Sequence, residues 1–172
     1  MAEAKLRVAI DANVLIAGSR LPRWPYEVVM AGVRGRFDVL LPVQVISEAR
    51  RHVYTPSQRA TLHDFLSDCA YEELPMPSAE RVAQNADLVR GASDVPIALA
   101  LLDAGADILV TSDRDFTDAG ATASRFSEQI QVMLPAVFLR QVLGWSSDEL
   151  EAIRRREWKD FPERGAADEL AP

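Results

Sequence analysis

Acidic side chains occupy four positions at or near predicted strand ends and helices of this chain. They are Asp11, Glu48, Asp94 and Asp113. In a fold of alternating strands and helices, strand ends and helix starts gather along one edge of the sheet, so residues distant in sequence become neighbours. Carboxylates brought together repel one another unless a cation neutralises them, and a divalent metal is the simplest reason to collect them. The pattern therefore predicts a divalent-metal site.

Asp11 directly follows the apolar run of residues 6–10, whose Val and Ile content favours a buried strand. Its side chain would emerge at the carboxyl edge of the sheet, where open α/β folds bind ligands. The alternative is an ordinary loop or N-cap aspartate. Asn13, two residues later, either orients Asp11 or a metal-bound water, or caps the next helix.

Glu48 and Asp94 are weaker signals when each is taken alone. Glu48 lies within a predicted helix over residues 43–52, and its alternative interpretation is a solvent-facing glutamate paired with Arg51 or His52. Asp94 precedes a strongly apolar helix, for which it is a good N-cap. Capping and metal binding are compatible, since one carboxylate oxygen can accept a backbone N–H while the other faces a cation.

Asp113 and Asp115 follow the predicted strand over residues 108–111. Two acids one residue apart, just beyond a buried strand, are hard to explain by capping alone. The Thr111 hydroxyl either bonds a carboxylate or a substrate phosphate, or belongs to a strand residue that packs by its methyl group.

The donor set also indicates which metal to expect. Hard divalent cations prefer oxygen ligands, and the four acids supply only carboxylates, so Mg²⁺ or Mn²⁺ is predicted. Two histidines and one cysteine are too few and too dispersed for a zinc site. Asp11, Asp94 and Asp113 are predicted to be ligands of this metal. Glu48 lies in mid-helix and has a longer side chain, so it is predicted to position or deprotonate a water molecule bound to the metal.

These residues must be positioned by an α/β fold. Apolar runs predict strands over residues 6–10, 38–41, 108–111 and 131–134, and a short edge strand is predicted over 71–74, before Pro75 and Pro77. Periodicity and caps predict helices over residues 25–31, 43–52, 57–69, 79–90, 95–104 and 135–143, with a short helical start at 14–17 that Gly18 breaks. Short apolar strands alternating with helices imply a parallel sheet covered on both faces.

Composition limits the class of protein. The chain has 172 residues, is 48% hydrophobic and carries a net charge of −7, which favours one globular domain and argues against a broad basic nucleic-acid surface. Nucleic acid stays open as a substrate, because a bound cation reverses the local sign of charge. The single cysteine, the lack of a long apolar run and the absence of a secretory signal predict a soluble, cytoplasmic protein.

The order of these motifs resembles the PIN-domain family of metal-dependent nucleases. The matching stretches are residues 8–15, 46–48, 94–100 and 106–116, and the resemblance covers about residues 5 to 140. It implies a three-layer α/β/α sandwich with a central parallel sheet. It also implies a metal site of Asp11, Glu48, Asp94 and Asp113, with Asp115 as an auxiliary ligand.

The resemblance further implies the function. Thr111 and Asn13 would be second-sphere or substrate-orienting residues, Mg²⁺ or Mn²⁺ the cofactor, and endonucleolytic cleavage of RNA the activity. Its nearest relatives are bacterial stand-alone proteins of the toxin type, which implies an antitoxin protein partner and frequent homodimers. Residues 1–145 would form the nuclease domain and 146–172 an extension. In that extension a capping box at Ser146 and Glu149 starts a charged helix to about Lys159, and a mobile tail follows.

Two rival interpretations remain open at this stage. A Mg²⁺-dependent phosphatase of the haloacid dehalogenase type also begins with a strand ending in Asp, but it needs a second Asp where this chain has Asn13. A catalytically weak module that binds RNA or protein is the second. Trp24, Tyr26 and residues 28–30 are a candidate surface for a protein partner, although an apolar stripe of this kind is more often core.

Overall fold

The computed structural model describes residues 4–117 and 124–161, apart from the side chains of Asp115 and Ser124. The strands are β1 (Arg7–Ile10), β2 (Asp38–Pro42), β3 (Tyr71–Leu74), β4 (Ile108–Val110) and β5 (Gln131–Met133). The helices are α1 (Ala12–Arg20), α2 (Trp24–Val33), α3 (Val43–Arg51), α4 (Pro56–Asp68), α5 (Ala79–Gln84), α6 (Val95–Asp103), α7 (Arg114–Thr117), α8 (Ser124–Ser127), α9 (Pro135–Gln141) and α10 (Ser147–Ala152). Short 3₁₀ turns lie at Ala92–Asp94 and Trp158–Asp160.

The five strands form one parallel sheet in the order β3-β2-β1-β4-β5. The central strands are apolar and buried on both faces, as parallel strands covered by helices must be: Val8, Ala9 and Val110 are fully inaccessible to solvent. The edge strand β3 instead exposes Glu72 and Glu73, whose charges discourage a further strand from pairing there.

The helices cover the sheet in two layers because the direction of travel along it reverses. From β1 to β2 to β3 the chain moves one way, and from β3 to β4 to β5 it moves the other way. Right-handed crossovers therefore place α1–α4 on one face and α5–α8 on the opposite face. After β5, the chain returns to pack α9 against α2. The predicted three-layer α/β/α sandwich with a central parallel sheet is confirmed.

All five predicted strands are present, but three helical predictions were wrong in extent. The helix predicted over residues 79–90 ends at Gln84, because none of its residues is buried and the chain turns to bury Leu88 and Val89 instead. Gly18 does not break α1. It lies inside the helix, where a Cβ would come within 3.2 Å of the Tyr26 backbone, so glycine lets α1 and α2 approach closely.

The C-terminal helix is also shorter than predicted, although its capping box is present. Ser146 accepts from the Glu149 N–H, and the Glu149 side chain accepts from the Ser146 N–H, but α10 ends at Ala152 rather than near residue 159. Residues 146–161, called the C-terminal segment below, then pack across the start of α2. The predicted tail from residue 162 onward lies outside the described residues.

The stripe considered as a partner surface belongs largely to the core. Val28 and Val29 are buried. The Trp24 indole N–H donates to the Leu150 carbonyl at 2.8 Å, and the Tyr26 ring packs edge-on against Trp158 with centroids 5.2 Å apart. The core alternative is therefore confirmed for the valines, and the C-terminal segment covers the aromatic residues.

Among the helices of the described residues, none has both the length and the apolar character that a bilayer crossing requires.

Candidate active site

The site residues meet where the sheet changes direction. Strand β1 pairs with β4, yet their onward connections leave toward opposite faces, which opens a crevice at the carboxyl ends of these two strands. Asp11 ends β1, and its N–H donates to the Val110 carbonyl of β4 at 3.0 Å. Thr111 ends β4, and its N–H donates to Met133 of β5 at 3.0 Å. The predicted acids at both strand ends therefore lie side by side.

The Asp11 carboxylate is held by three donors. Its Oδ1 accepts from the Ala12 N–H at 2.8 Å, which caps α1, while Oδ2 accepts from the Thr111 hydroxyl at 2.7 Å and from Asn13 Nδ2 at 3.2 Å. Asp11 is only 7% exposed, so a titratable carboxyl group is buried here. Capping and site geometry thus coexist in one residue, as the sequence allowed.

Thr111 is the centre of the same network. Its hydroxyl donates to Asp11 and accepts from Asn13 Nδ2 at 3.1 Å and from the Asp113 N–H at 3.0 Å. Asn13 Oδ1 in turn accepts from the Ser112 N–H at 3.1 Å. Thr111 and Asn13 therefore fix the Asp11 carboxylate and tie it to the loop that carries Asp113. The Thr111 side chain therefore contributes hydrogen bonds through its hydroxyl and does not only pack by its methyl group.

Burial raises the pKa of Asp11 above its usual range, and the negative charges of Glu48 and Asp113 raise that pKa further. The hydrogen bonds from Thr111 and Ala12 oppose the shift by stabilising the ionised form, but burial prevails. Asp11, Glu48 and Asp113 are thus electrostatically coupled, and we call these three residues the acidic cluster. Bringing a cation to the cluster would favour the ionised carboxylates.

The structure places Glu48 and Asp113 beside Asp11 by different routes. Glu48 projects from α3, which begins directly after β2, and it is half-buried. It takes part in none of the ion pairs found among residues 4–117 and 124–161, so the surface pair with Arg51 or His52 is not formed there. Asp113 is half-buried at the start of α7.

Asp94 reaches the same edge of the sheet by topology. Helix α6 returns the chain toward the start of β4, so it runs against the strands and begins at their carboxyl edge. The prediction that Asp94 caps α6 by its side chain was wrong: its backbone is already helical (φ −93°, ψ −13°) within a 3₁₀ turn, and it makes no side-chain capping bond. The side chain of Asp115 lies outside the described part of the structure.

A cavity of about 410 Å³ opens beside the acidic cluster, and we call it the α1–α3 cavity. Asn13 and Glu48 form part of its lining, and Ile16 and Leu21 contribute apolar walls. Arg20, Arg23 and His52 also line it. Arg20 and Arg23 are not among the residues singled out from the sequence, because only the tertiary fold brings them to the cavity that Glu48 also lines.

The donor chemistry decides which kind of metal site these residues fit. No three histidine, cysteine, aspartate or glutamate side chains in the described ranges are arranged to hold one ion directly. They therefore do not fit a dehydrated cage of the calcium or zinc type. They do fit Mg²⁺ or Mn²⁺, because such an ion keeps several waters and needs only one or two direct carboxylates, here around a coupled acidic cluster.

Comparisons with known proteins establish the fold alone. No protein-family model matches the chain, and no curated protein matches it. Among solved structures it is similar to the crystal structure of PAE2754 from Pyrobaculum aerophilum, with a TM-score of 0.55 and 16% sequence identity over 81% of this chain and 97% of that one. At that identity the likeness supports the α/β architecture, and the resemblance to the PIN-domain family stays a prediction.

Proposed function

We propose that this chain is a divalent-metal-dependent endoribonuclease that hydrolyses RNA phosphodiester bonds. The observation that carries the proposal is Asp11: a buried carboxylate at the crevice between β1 and β4, fixed by Thr111 and Asn13 and coupled to Glu48 and Asp113. Titratable groups perturbed by both burial and like charge concentrate at functional sites. An acid needed only to cap α1 would gain nothing from this burial.

The roles of the residues follow from their positions. Asp11 and Asp113, anchored to each other through the Thr111 hydroxyl, would hold Mg²⁺ or Mn²⁺, and Asp94, at the start of α6, would contact a water bound to that ion. Bound there, the ion would supply water activation and stabilisation of charge on the phosphoryl oxygens. Glu48, which lines the α1–α3 cavity, would accept the proton of the attacking water.

The direct test is RNA cleavage with Mg²⁺ or Mn²⁺ by the wild-type chain and by Asp11→Asn. We expect cleavage by the wild type only. Asp38→Asn is the matched control, since Asp38 is an exposed acid at the opposite, amino edge of the sheet, and it should cleave normally. Equal cleavage by all three proteins would show a contaminant and refute the proposal.

The role of Glu48 has its own test. Glu48→Gln should lower turnover strongly while divalent-ion affinity changes little, because the residue handles a proton rather than holding the ion. Near-normal turnover with lost metal affinity, measured by calorimetry, would reverse this assignment and make Glu48 a ligand.

The toxin role is a further proposal that rests on the motif resemblance, as do an antitoxin partner, a homodimer and a cytoplasmic location. Induced expression should arrest bacterial growth with the wild type and not with Asp11→Asn. Light scattering of the purified chain measures the oligomeric state. Growth arrest by both forms would indicate toxicity unrelated to cleavage.

A further inference from the structure

One wall of the α1–α3 cavity comes from residues 20–23, which are the last residue of α1 and the connection to α2 and are called the α1–α2 loop below. Arg20, Leu21 and Arg23 from this loop line the cavity that Asn13 and Glu48 also line. A phosphodiester strand approaching the acidic cluster meets electrostatic repulsion, so a cationic contact on its path would favour binding. The loop supplies two arginines at that place, in a chain whose net charge is −7.

Neither arginine is neutralised within the described ranges. Arg20 is exposed, and its guanidinium donates to the His52 carbonyl at 3.1 Å and lies 6.0 Å from the Tyr54 ring. Arg23 uses Nε to donate to the Arg156 carbonyl at 3.2 Å. These partners are neutral, and the ion pairs among residues 4–117 and 124–161 include neither arginine. Both guanidinium groups keep N–H donors that these bonds do not use.

The C-terminal segment holds this loop in place through backbone contacts. The Arg156 guanidinium donates to the Pro22 carbonyl at 2.6 Å, and the Trp158 indole N–H donates to the Arg20 carbonyl at 2.8 Å. With the bond from Arg23 to Arg156, these contacts link the segment to three of the four loop residues from 20 to 23. The shape of the loop therefore depends on residues more than 130 positions away.

The segment is itself anchored by buried chemistry. Arg156 pairs with the buried Glu27 at 2.6 Å and lies 4.6 Å from the Phe161 ring centroid, so its own charge is compensated. Trp158 and Phe161 both pack edge-on against Tyr26. Arg156 therefore serves as a clamp, in contrast to Arg20 and Arg23, which face the cavity uncompensated.

We propose that Arg20 and Arg23 bind RNA phosphates next to the acidic cluster, and that Arg156 and Trp158 are positioning residues that set the geometry of these two arginines. The proposal rests on the proposed ribonuclease function for the identity of the ligand. It adds an RNA-binding wall and gives the C-terminal segment a role in substrate affinity.

The binding test uses a fluorescein-labelled single-stranded RNA oligonucleotide and anisotropy in EDTA, where no metal-dependent cleavage occurs. Arg20→Gln and Arg23→Gln should each weaken binding about two- to fivefold, the scale of one exposed charged contact. The slope of log affinity against log salt should fall by about 0.7 for each lost phosphate contact. Arg36→Gln, with the same charge change on an exposed residue at the amino edge of the sheet, should behave like wild type.

The positioning role is tested with Trp158→Phe, which keeps an aromatic ring and removes the N–H that bonds the Arg20 carbonyl. We expect KM for RNA to rise while kcat holds, and the salt slope to fall as it does in Arg20→Gln. The variant that combines Trp158→Phe with Arg20→Gln should bind RNA no more weakly than Arg20→Gln alone, because both changes remove the same phosphate contact. Trp145→Phe is the matched control for aromatic replacement, and urea titration verifies that each variant is folded.

The outcomes separate the two levels of the proposal. Unchanged affinity and salt slope in Arg20→Gln and Arg23→Gln would overturn the phosphate contact. Additive losses in the double variant would overturn the positioning role. If wild type fails to cleave RNA but binds it in an arginine-dependent way, the proposed function fails and the binding wall stands. If wild type cleaves RNA but neither arginine affects RNA binding, the proposed function stands and the binding wall fails.

Discussion

Replacing Thr111 by valine tests the network that fixes Asp11. The side chain is fully buried, and valine keeps its shape while removing one donor to Asp11 and one acceptor for Asn13 and Asp113. A hydrogen bond to a charged group contributes about 1.5–3 kcal/mol. Asn13 keeps its bond to Asp11, and the Asp113 N–H is only partly buried, so their losses are smaller. We expect the free energy of unfolding to fall by about 2–3 kcal/mol near neutral pH, mainly through the lost bond to Asp11.

The sign of the pH dependence follows from the pKa of Asp11, which is raised in the folded state. A carboxyl group whose pKa is raised in the folded state stabilises the fold fully at pH values below its unfolded pKa. That stabilisation is lost as the pH rises through the folded pKa. The Thr111 bond opposes the shift because it favours the ionised carboxylate. Its removal should therefore cost more above the folded pKa, where the carboxylate is charged, than at about pH 4, where a neutral bond contributes about 1 kcal/mol.

The assay is equilibrium urea unfolding of metal-free protein at acidic and neutral pH. Ser19→Ala is the matched control, since Ser19 is also buried and its hydroxyl donates to the neutral Ile16 carbonyl at 2.7 Å. Its cost should be about 1 kcal/mol and nearly independent of pH. An equal cost of Thr111→Val at both pH values would show that the bond does not act on a charged carboxylate, and would refute this account of Asp11.

Three further predictions follow from the same contacts. Asp11→Asn should make the urea midpoint of the metal-free protein depend less on pH, because it removes the carboxyl group whose pKa is raised in the folded state; a pH dependence like that of wild type would contradict this. Mn²⁺ affinity, measured by calorimetry, should fall as pH drops through the raised pKa of Asp11, since protons and metal compete for one carboxylate; affinity independent of pH would place the ion elsewhere. Glu27→Gln should destabilise the chain by about 2–3 kcal/mol by leaving Arg156 without its anion, and it should make cleavage between residues 145 and 161 by a protease faster; resistance like that of wild type would show that the ion pair does not secure the segment.

The local sequence pattern was sufficient to predict the strands and the polar residues at their ends. Four of the five strands were found from their apolar runs, and Asp11, Asn13, Thr111 and Asp113 were singled out because they lie at or just beyond the ends of two such runs. That β1 and β4 are neighbours is set by crossover direction, which the sequence implies only through the fold class. The proximity of these four residues could therefore be predicted once a parallel sheet with helices on both faces was expected.

The features that were missed depend on contacts between distant residues. Helical propensity favoured continuation of α10 toward residue 159, but the chain leaves the helix, and Arg156 and Trp158 bond to the α1–α2 loop. No local signal shows that Arg20 and Arg23 border the cavity that Glu48 lines. The missing side-chain cap at Asp94 has a local origin instead, since the 3₁₀ turn Ala92–Asp94 gives this residue a helical backbone rather than the extended backbone of a typical N-cap.

The bonding of Asp11 goes beyond what a helix cap requires. A cap of α1 needs one oxygen, and an exposed serine or aspartate provides it without burying charge. Here the second oxygen is fixed by Thr111 and Asn13, while Glu48 and Asp113 make its ionisation harder. Stability alone gives no reason to place two further acids beside a buried carboxylate whose ionisation they disfavour, because a threonine cap and an apolar neighbour would serve the fold better. A positively charged ligand turns the same arrangement into a favourable one, and that is the reason to look for a cation at this crevice.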